Sequence, residues 1–173
     1  MIKRYVIILF LLSASISYAR TRISLYLDSN VEFDLSLLTY PNVIFPAYYY
    51  PTLASPTNRQ GIFLQLGYQR RPPGGHTVSN IYLATRGRSN FSSTVLLDQL
   101  FYAPDGEPLP SAGVDPPGGR WRAFTTLFQQ IEQFSVTGAN RTFNRPQDYI
   151  FQSEVDDEPT NASTTIYYRV YGL

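Results

Sequence analysis

Cysteine is absent from all 173 residues, and methionine, tryptophan and histidine occur once each. Without a thiol there is no disulfide, zinc–thiolate site, iron–sulfur cluster, cysteine nucleophile or lipidated cysteine anchor, so packing must hold the fold. Charge is sparse: Asp, Glu, Lys and Arg make up 16% of the chain and leave a formal net charge of +1. The basic residues are scattered, which removes the electrostatic footprint of a nucleic-acid binder, and no nucleic-acid partner is expected. Long apolar runs are missing too. The unbroken one, Val6 to Leu12, follows Lys3 and Arg4 and falls far short of the roughly 20 residues that cross a bilayer, so no stable membrane span is expected. Ser17-Tyr18-Ala19 supplies small residues at the two positions a signal peptidase reads. Residues 1–19 are therefore expected to be a cleaved export signal and residues 20–173 one domain in the periplasm, at the cell surface or outside the cell.

Aromatic residues are abundant, with 14 Tyr and 11 Phe, and 11 Gly and 13 Pro punctuate the chain. Aromatic and β-branched side chains suit a pleated, half-buried surface, and Pro marks turns and crossings. Period-2 alternation runs through Ile23-Leu25-Leu27, Val31-Phe33-Leu35, Ile62-Leu64-Leu66-Tyr68 and Ile81-Leu83. Near the end it recurs in Tyr149-Phe151-Val155 and in Ile166-Tyr168-Val170, the latter interleaved with Tyr167, Arg169 and Tyr171. Apolar residues on both faces of Val95 to Phe101 predict a central strand. Pro72 to His76 reads as a hairpin connection, and the last two alternating runs read as a second hairpin. Trp121, Phe124, Leu127, Phe128, Ile131 and Phe134 recur at three- and four-residue spacing, which predicts one amphipathic helix over 121–134. The expected fold is mainly β: an antiparallel sandwich, Ig-like or pilin-like, of about seven strands with that one helix. Residues 40–58 and 103–119, both rich in Pro, form long irregular stretches.

No catalytic set assembles from these residues. His76 stands alone in Pro-Pro-Gly-Gly-His-Thr, an exposed turn without an orienting partner, and the chain has no nucleophile elbow, phosphate-binding glycine loop or metal-binding histidine spacing. The chain reads as non-enzymatic and needs no cofactor. Glu154, Asp156, Asp157 and Glu158 form the densest acidic cluster, either a solvated turn tip or an oxygen-rich loop for calcium. Tyr48, Tyr49 and Tyr50 lie between prolines, where their rings either close the core or form a contact face for sugars or a partner's apolar surface.

Export, one all-β domain and the alternating segment Ile23 to Leu35 resemble, in shape, the chaperone-usher pilins. That resemblance implies a cell-surface or pilus-like assembly subunit whose N-terminal strand pairs within its own sheet or is donated to a neighbour. The usual pilin disulfide and penultimate aromatic are missing here, so the resemblance covers shape and not motif. The expected function is thus an exported structural or interaction module whose partners are other protein subunits or a surface ligand. Two alternatives stand beside it. One is a secreted ligand- or carbohydrate-binding sandwich using the tyrosine loop. The other is a small outer-membrane barrel, suggested by Tyr167, Tyr171 and Leu173 but opposed by Arg169 and by the prolines.

Overall fold

The computed structural model describes residues 22–27, 31–33, 44–51, 53–54, 61–70, 78–136, 140–155, 157 and 163–173. The expected export signal, His76, Asp156 and Glu158 lie outside them. The strands are β1 (Arg22–Leu27), β2 (Val31–Glu32), β3 (Ala47–Tyr49), β4 (Leu53–Ala54), β5 (Gly61–Ile62), β6 (Leu64–Gln69) and β7 (Asn80–Gly87). After a single 3-10 turn at Leu97–Gln99 come β8 (Leu100–Pro104), β9 (Arg122–Ala123), β10 (Gln129–Ser135), β11 (Arg141–Asn144), β12 (Gln147–Ser153) and β13 (Ile166–Gly172). All pairing is antiparallel, in sheets ordered β1-β6-β11, β10-β7-β13 and β3-β12-β8-β9, with β5 also on β12 and a small β2-β4 pair. The protein is mainly β, and the described sheets do not close into a barrel.

Two of the sheets share a continuous ribbon. β6 pairs with β11 through Leu66 opposite Phe143 and Gln65 opposite Asn144. The Arg145 amide then donates to the Leu64 carbonyl at 2.8 Å, and Ile62 and Gly61 pair with Gln147 and Asp148. The β5–β6 arm and the β11–β12 arm therefore stay together while passing from one sheet to the next. Gly61 makes this possible: a Cβ there would lie 1.8 Å from the Gln147 carbonyl oxygen.

The alternation in β6 and β7 does what it predicts. Leu64, Leu66 and Tyr68, and Ile81 and Leu83, are buried in one core with Leu100, Tyr102, Phe124, Phe134 and Tyr149. β8 is central, between β12 and β9, and buried on both faces. Leu100 and Tyr102 face the main core, whereas Phe101 and Ala103 join Tyr48, Trp121 and Ile150 in a second cluster.

Three expectations are corrected. The 121–134 segment is not a helix but β9, a crossing and β10, and no α-helix occurs among the described residues. Its apolar residues fall on different surfaces: Trp121 in the second cluster, Phe124 and Phe134 in the main core, and Leu127 76% exposed. Trp121, Phe124, Leu127 and Phe128 lie outside both strands, beside β9 or in the crossing before β10, and a bulge between Gln130 and Glu132 breaks the alternation of β10 at Ile131, so the helical spacing is a coincidence of irregular backbone. The two hairpins are also absent as pairs. β6 pairs with β1 and β11 while β7 pairs with β10 and β13, and β12 and β13 belong to different sheets. The start of the chain's alternating segment, β1, pairs internally with β6 from Arg22 opposite Gln69 to Leu27 opposite Leu64.

Candidate functional site

The tyrosine segment holds down the proline-rich loop beyond β8. Tyr48 donates its hydroxyl to the Val114 carbonyl and Tyr50 donates to the Glu107 carbonyl at 2.8 Å. Gly113 N–H donates to the Pro46 carbonyl at 2.8 Å, and Trp121 Nε1 donates to the Pro108 carbonyl at 2.9 Å. Burial, with Asp115 and Glu154 nearby, pushes the Tyr48 hydroxyl up to about 12, so it stays a neutral donor. Tyr48 is 5% exposed, and Tyr49 and Tyr50 are half-buried.

Glu107 is the loop's ionic anchor. Its carboxylate accepts from Arg120 N–H at 2.8 Å and from Arg120 Nε at 2.6 Å, and these donors hold its pKa below the ordinary 4.5. A carboxylate held low in this way favours folding above its ordinary value, and the contribution is lost as pH falls through the lowered one. Asp148 acts in the opposite sense, because burial raises its pKa even though Gly106 N–H donates to it. Thermal melts between pH 7 and pH 3 should therefore show a shallower acid loss in Glu107→Gln than in the unaltered protein. Parallel acid limbs would mean that the anchor contributes nothing.

At the acidic tip, Asp157 accepts from Gln99 Nε2 at 2.8 and 3.0 Å and from Glu154 N–H at 2.7 Å. Glu154 in turn accepts from Gln152 Nε2. Both described members of the acidic set thus close the turn after β12. No group of three or more metal-ligating side chains occurs among the described residues, and Asp156 and Glu158 lie outside them.

The outer face of β7 and β13 carries a different arrangement. Cross-strand register sets Tyr171 opposite Tyr82, Arg169 opposite Ala84 and Tyr167 opposite Arg86. Tyr82 and Tyr171 stack with centroids 5.3 Å apart and 15° between planes. The Arg169 guanidinium sits 4.3 Å from the Phe128 ring and 5.2 Å from Tyr171, and Arg86 sits 4.9 Å from Phe128 and 5.1 Å from Tyr167. Phe128 arrives from the crossing that precedes β10, which is fastened where Gly87 N–H donates to the Thr125 carbonyl at 2.8 Å. The result is a ladder of alternating cations and rings. Each such contact is worth about 0.5–1 kcal/mol at an exposed site. Among the described residues neither arginine is in an ion pair, and the Arg86 Nε is buried without a hydrogen-bond partner. Tyr167 is 37% exposed and Leu127, beside Phe128, is 76% exposed.

A cavity of about 370 Å³ opens beside the main core between Phe33, Phe91, Ile62, Leu100 and Ile166. Its phenols are already engaged: the Tyr149 and Tyr168 hydroxyls bond one another, and Tyr168 donates to Gln147 Oε1 at 3.2 Å. Burial pushes both phenols up, so they remain neutral.

From the sequence, Tyr167, Arg169 and Tyr171 read as one side of an alternating strand, with Tyr167 and Tyr171 as the lipid-side row of the barrel alternative and not as a binding face. The available signal was chemical: the outward set of that strand is Tyr-Arg-Tyr, where a merely solvated face usually carries Lys, Glu or Ser. Comparison with protein-family models, with curated proteins and with solved structures returns no match.

Proposed function

We propose that this protein is an exported, non-enzymatic interaction module at the cell surface, and that it engages a protein subunit or surface ligand through the outer face of β7 and β13. The supporting observation is the ladder itself: Arg86 and Arg169, outside any described ion pair, set over the rings of Phe128, Tyr167 and Tyr171. Tyr and Arg, with Trp, are enriched in binding hot spots, Tyr because it brings large rigid area at low entropic cost and Arg because its guanidinium makes several directional bonds. The non-catalytic part of the reading is supported by the carboxylates of Glu107, Glu132, Asp148 and Asp157, which are engaged in structural hydrogen bonds. An Ig-like or pilin-like sandwich is the matching architecture, with β10-β7-β13 as one layer and the ribbon-linked sheets as the other. A pilus-like assembly role is one form of this proposal. Saccharide binding is the second reading, and it moves from the tyrosine loop to the Tyr82–Tyr171 stack, because the Tyr48 and Tyr50 hydroxyls are engaged by the loop beyond β8.

Site-specific photocrosslinking on intact producing cells tests the proposal. A crosslinker at Tyr167 should capture a discrete partner, one at Tyr26, 60% exposed on β1, should not, and Arg86→Gln with Arg169→Gln should abolish the capture. Equal capture from both positions, or none from Tyr167, would sink it.

A further inference from the structure

One buried phenol lacks a well-formed hydrogen bond among the described residues. Tyr102, on β8, is 2% exposed, its ring packs 4.8 Å from Phe124, and among the described residues its hydroxyl makes no well-formed hydrogen bond, although the Arg122 guanidinium is near enough to act on it. Buried hydroxyls are almost always paired, because an orphan loses its water contacts without replacement. Tyr102 lines a second cavity of about 260 Å³, together with Pro104, Arg120, Trp121, Arg122 and Ile131. Arg122 stands directly opposite Tyr102 in the β8–β9 register, so the two side chains share a face. The charges around this cavity do not cancel. Arg120 is neutralised by Glu107 at 2.6 Å, whereas Arg122 is in no ion pair among the described residues.

We propose that this cavity is a binding site for a small monocarboxylate with a short apolar body. The carboxylate accepts from the Tyr102 hydroxyl and from the Arg122 guanidinium, and the body lies along Ile131 and Pro104, beside Trp121. Charge-assisted bonds to a guanidinium and a phenol suit a carboxylate, which offers two acceptor oxygens and needs no donor in return. Size narrows the class. The cavity is smaller than the 300–1,000 Å³ typical of drug-sized ligands, so the occupant is a fragment-sized acid. Tyr102 itself stays protonated and able to donate, because burial raises its pKa by more than the charge and hydrogen bonding of the neighbouring Arg122 lower it. The site is independent of the ladder face on β7 and β13.

Trp121 is the chain's single tryptophan and lines the cavity, which makes its fluorescence a local reporter. Titration of the full chain with cyclohexanecarboxylate, which does not absorb at the exciting wavelength, should change Trp121 emission saturably. The neutral cyclohexanecarboxamide should not. Tyr102→Phe and Arg122→Gln should each weaken binding roughly tenfold or more, the usual worth of a hydrogen bond to a charged group. Tyr102→Phe should also melt at the same temperature or higher without ligand, because it removes a buried hydroxyl that lacks a well-formed hydrogen bond. The absence of a saturable response would leave that hydroxyl to bound water and overturn the proposal. An equal response to the carboxamide, or undiminished binding by a folded Tyr102→Phe, would overturn it as well.

Discussion

Phe124→Ala is expected to cost about 3–5 kcal/mol of folding stability, the range for removing a fully buried ring from a packed core. Phe124 is 1% exposed, with its ring 4.8 Å from Tyr102 and 5.7 Å from Tyr149, and its amide donates to the Leu100 carbonyl at 2.9 Å. It stands where the chain leaves β9 for β10, so its loss loosens the crossing as well as the core. Leu127→Ala should change stability by less than about 0.5 kcal/mol, because that side chain is 76% exposed. The contrast matters more than either value. On a helix over 121–134 the two residues would share an apolar stripe, so comparable losses in urea denaturation would overturn the strand crossing.

Gly61→Ala should be as damaging as a core deletion although it adds only a methyl group. The new Cβ would meet the Gln147 carbonyl oxygen at 1.8 Å and the Asp148 Cα at 2.7 Å, and both are backbone atoms of a strand buried along its whole length. Neither can swing aside as a side-chain tip would. Relief requires β5 to part from β12, at about 3 kcal/mol or more. Hydrogen exchange should then speed up at Ile62 and Gln147 while β7 and β13 keep their protection. Wild-type protection at Ile62 in the variant would show that the arms do not approach this closely.

The sequence was informative about faces and silent about partners. Alternation in β6 and β7 names the buried residues correctly, because period 2 follows from strand geometry alone. It cannot say which strand lies alongside, and the expected pairings of β6 with β7 and of β12 with β13 fail for that reason. Two-sided burial of β8 was legible in Leu100 and Phe101, yet the cover on its second face was not. That cover is the loop held by Tyr48, Tyr50 and Trp121, whose contacts lie 66, 57 and 13 residues away in the chain. The helix expectation failed because Trp121, Phe124, Leu127 and Phe128 lie outside the strands, beside β9 or in the crossing before β10, where spacing reports no regular period, and a bulge before Glu132 adds a further irregularity at Ile131. The ladder was half visible. Tyr167, Arg169 and Tyr171 alternate in the sequence, but Arg86 and Phe128 join them only through cross-strand register and the crossing before β10.

The ribbon of β5–β6 against β11–β12 also determines how the molecule bears force. Where neighbouring sheets meet only through side chains, a pull normal to their interface need overcome only apolar contact. Here the chain itself runs from sheet to sheet at Phe63 and again at Arg145–Pro146. A load that draws these two sheets apart is carried along covalent backbone and must shear or peel the hydrogen-bonded pairs between Gly61 and Tyr68 on one arm and Arg141 and Asp148 on the other. For these two sheets, rupture is therefore backbone separation and not a sliding of oily faces, which makes the joint the tough element of the domain in a tethered setting.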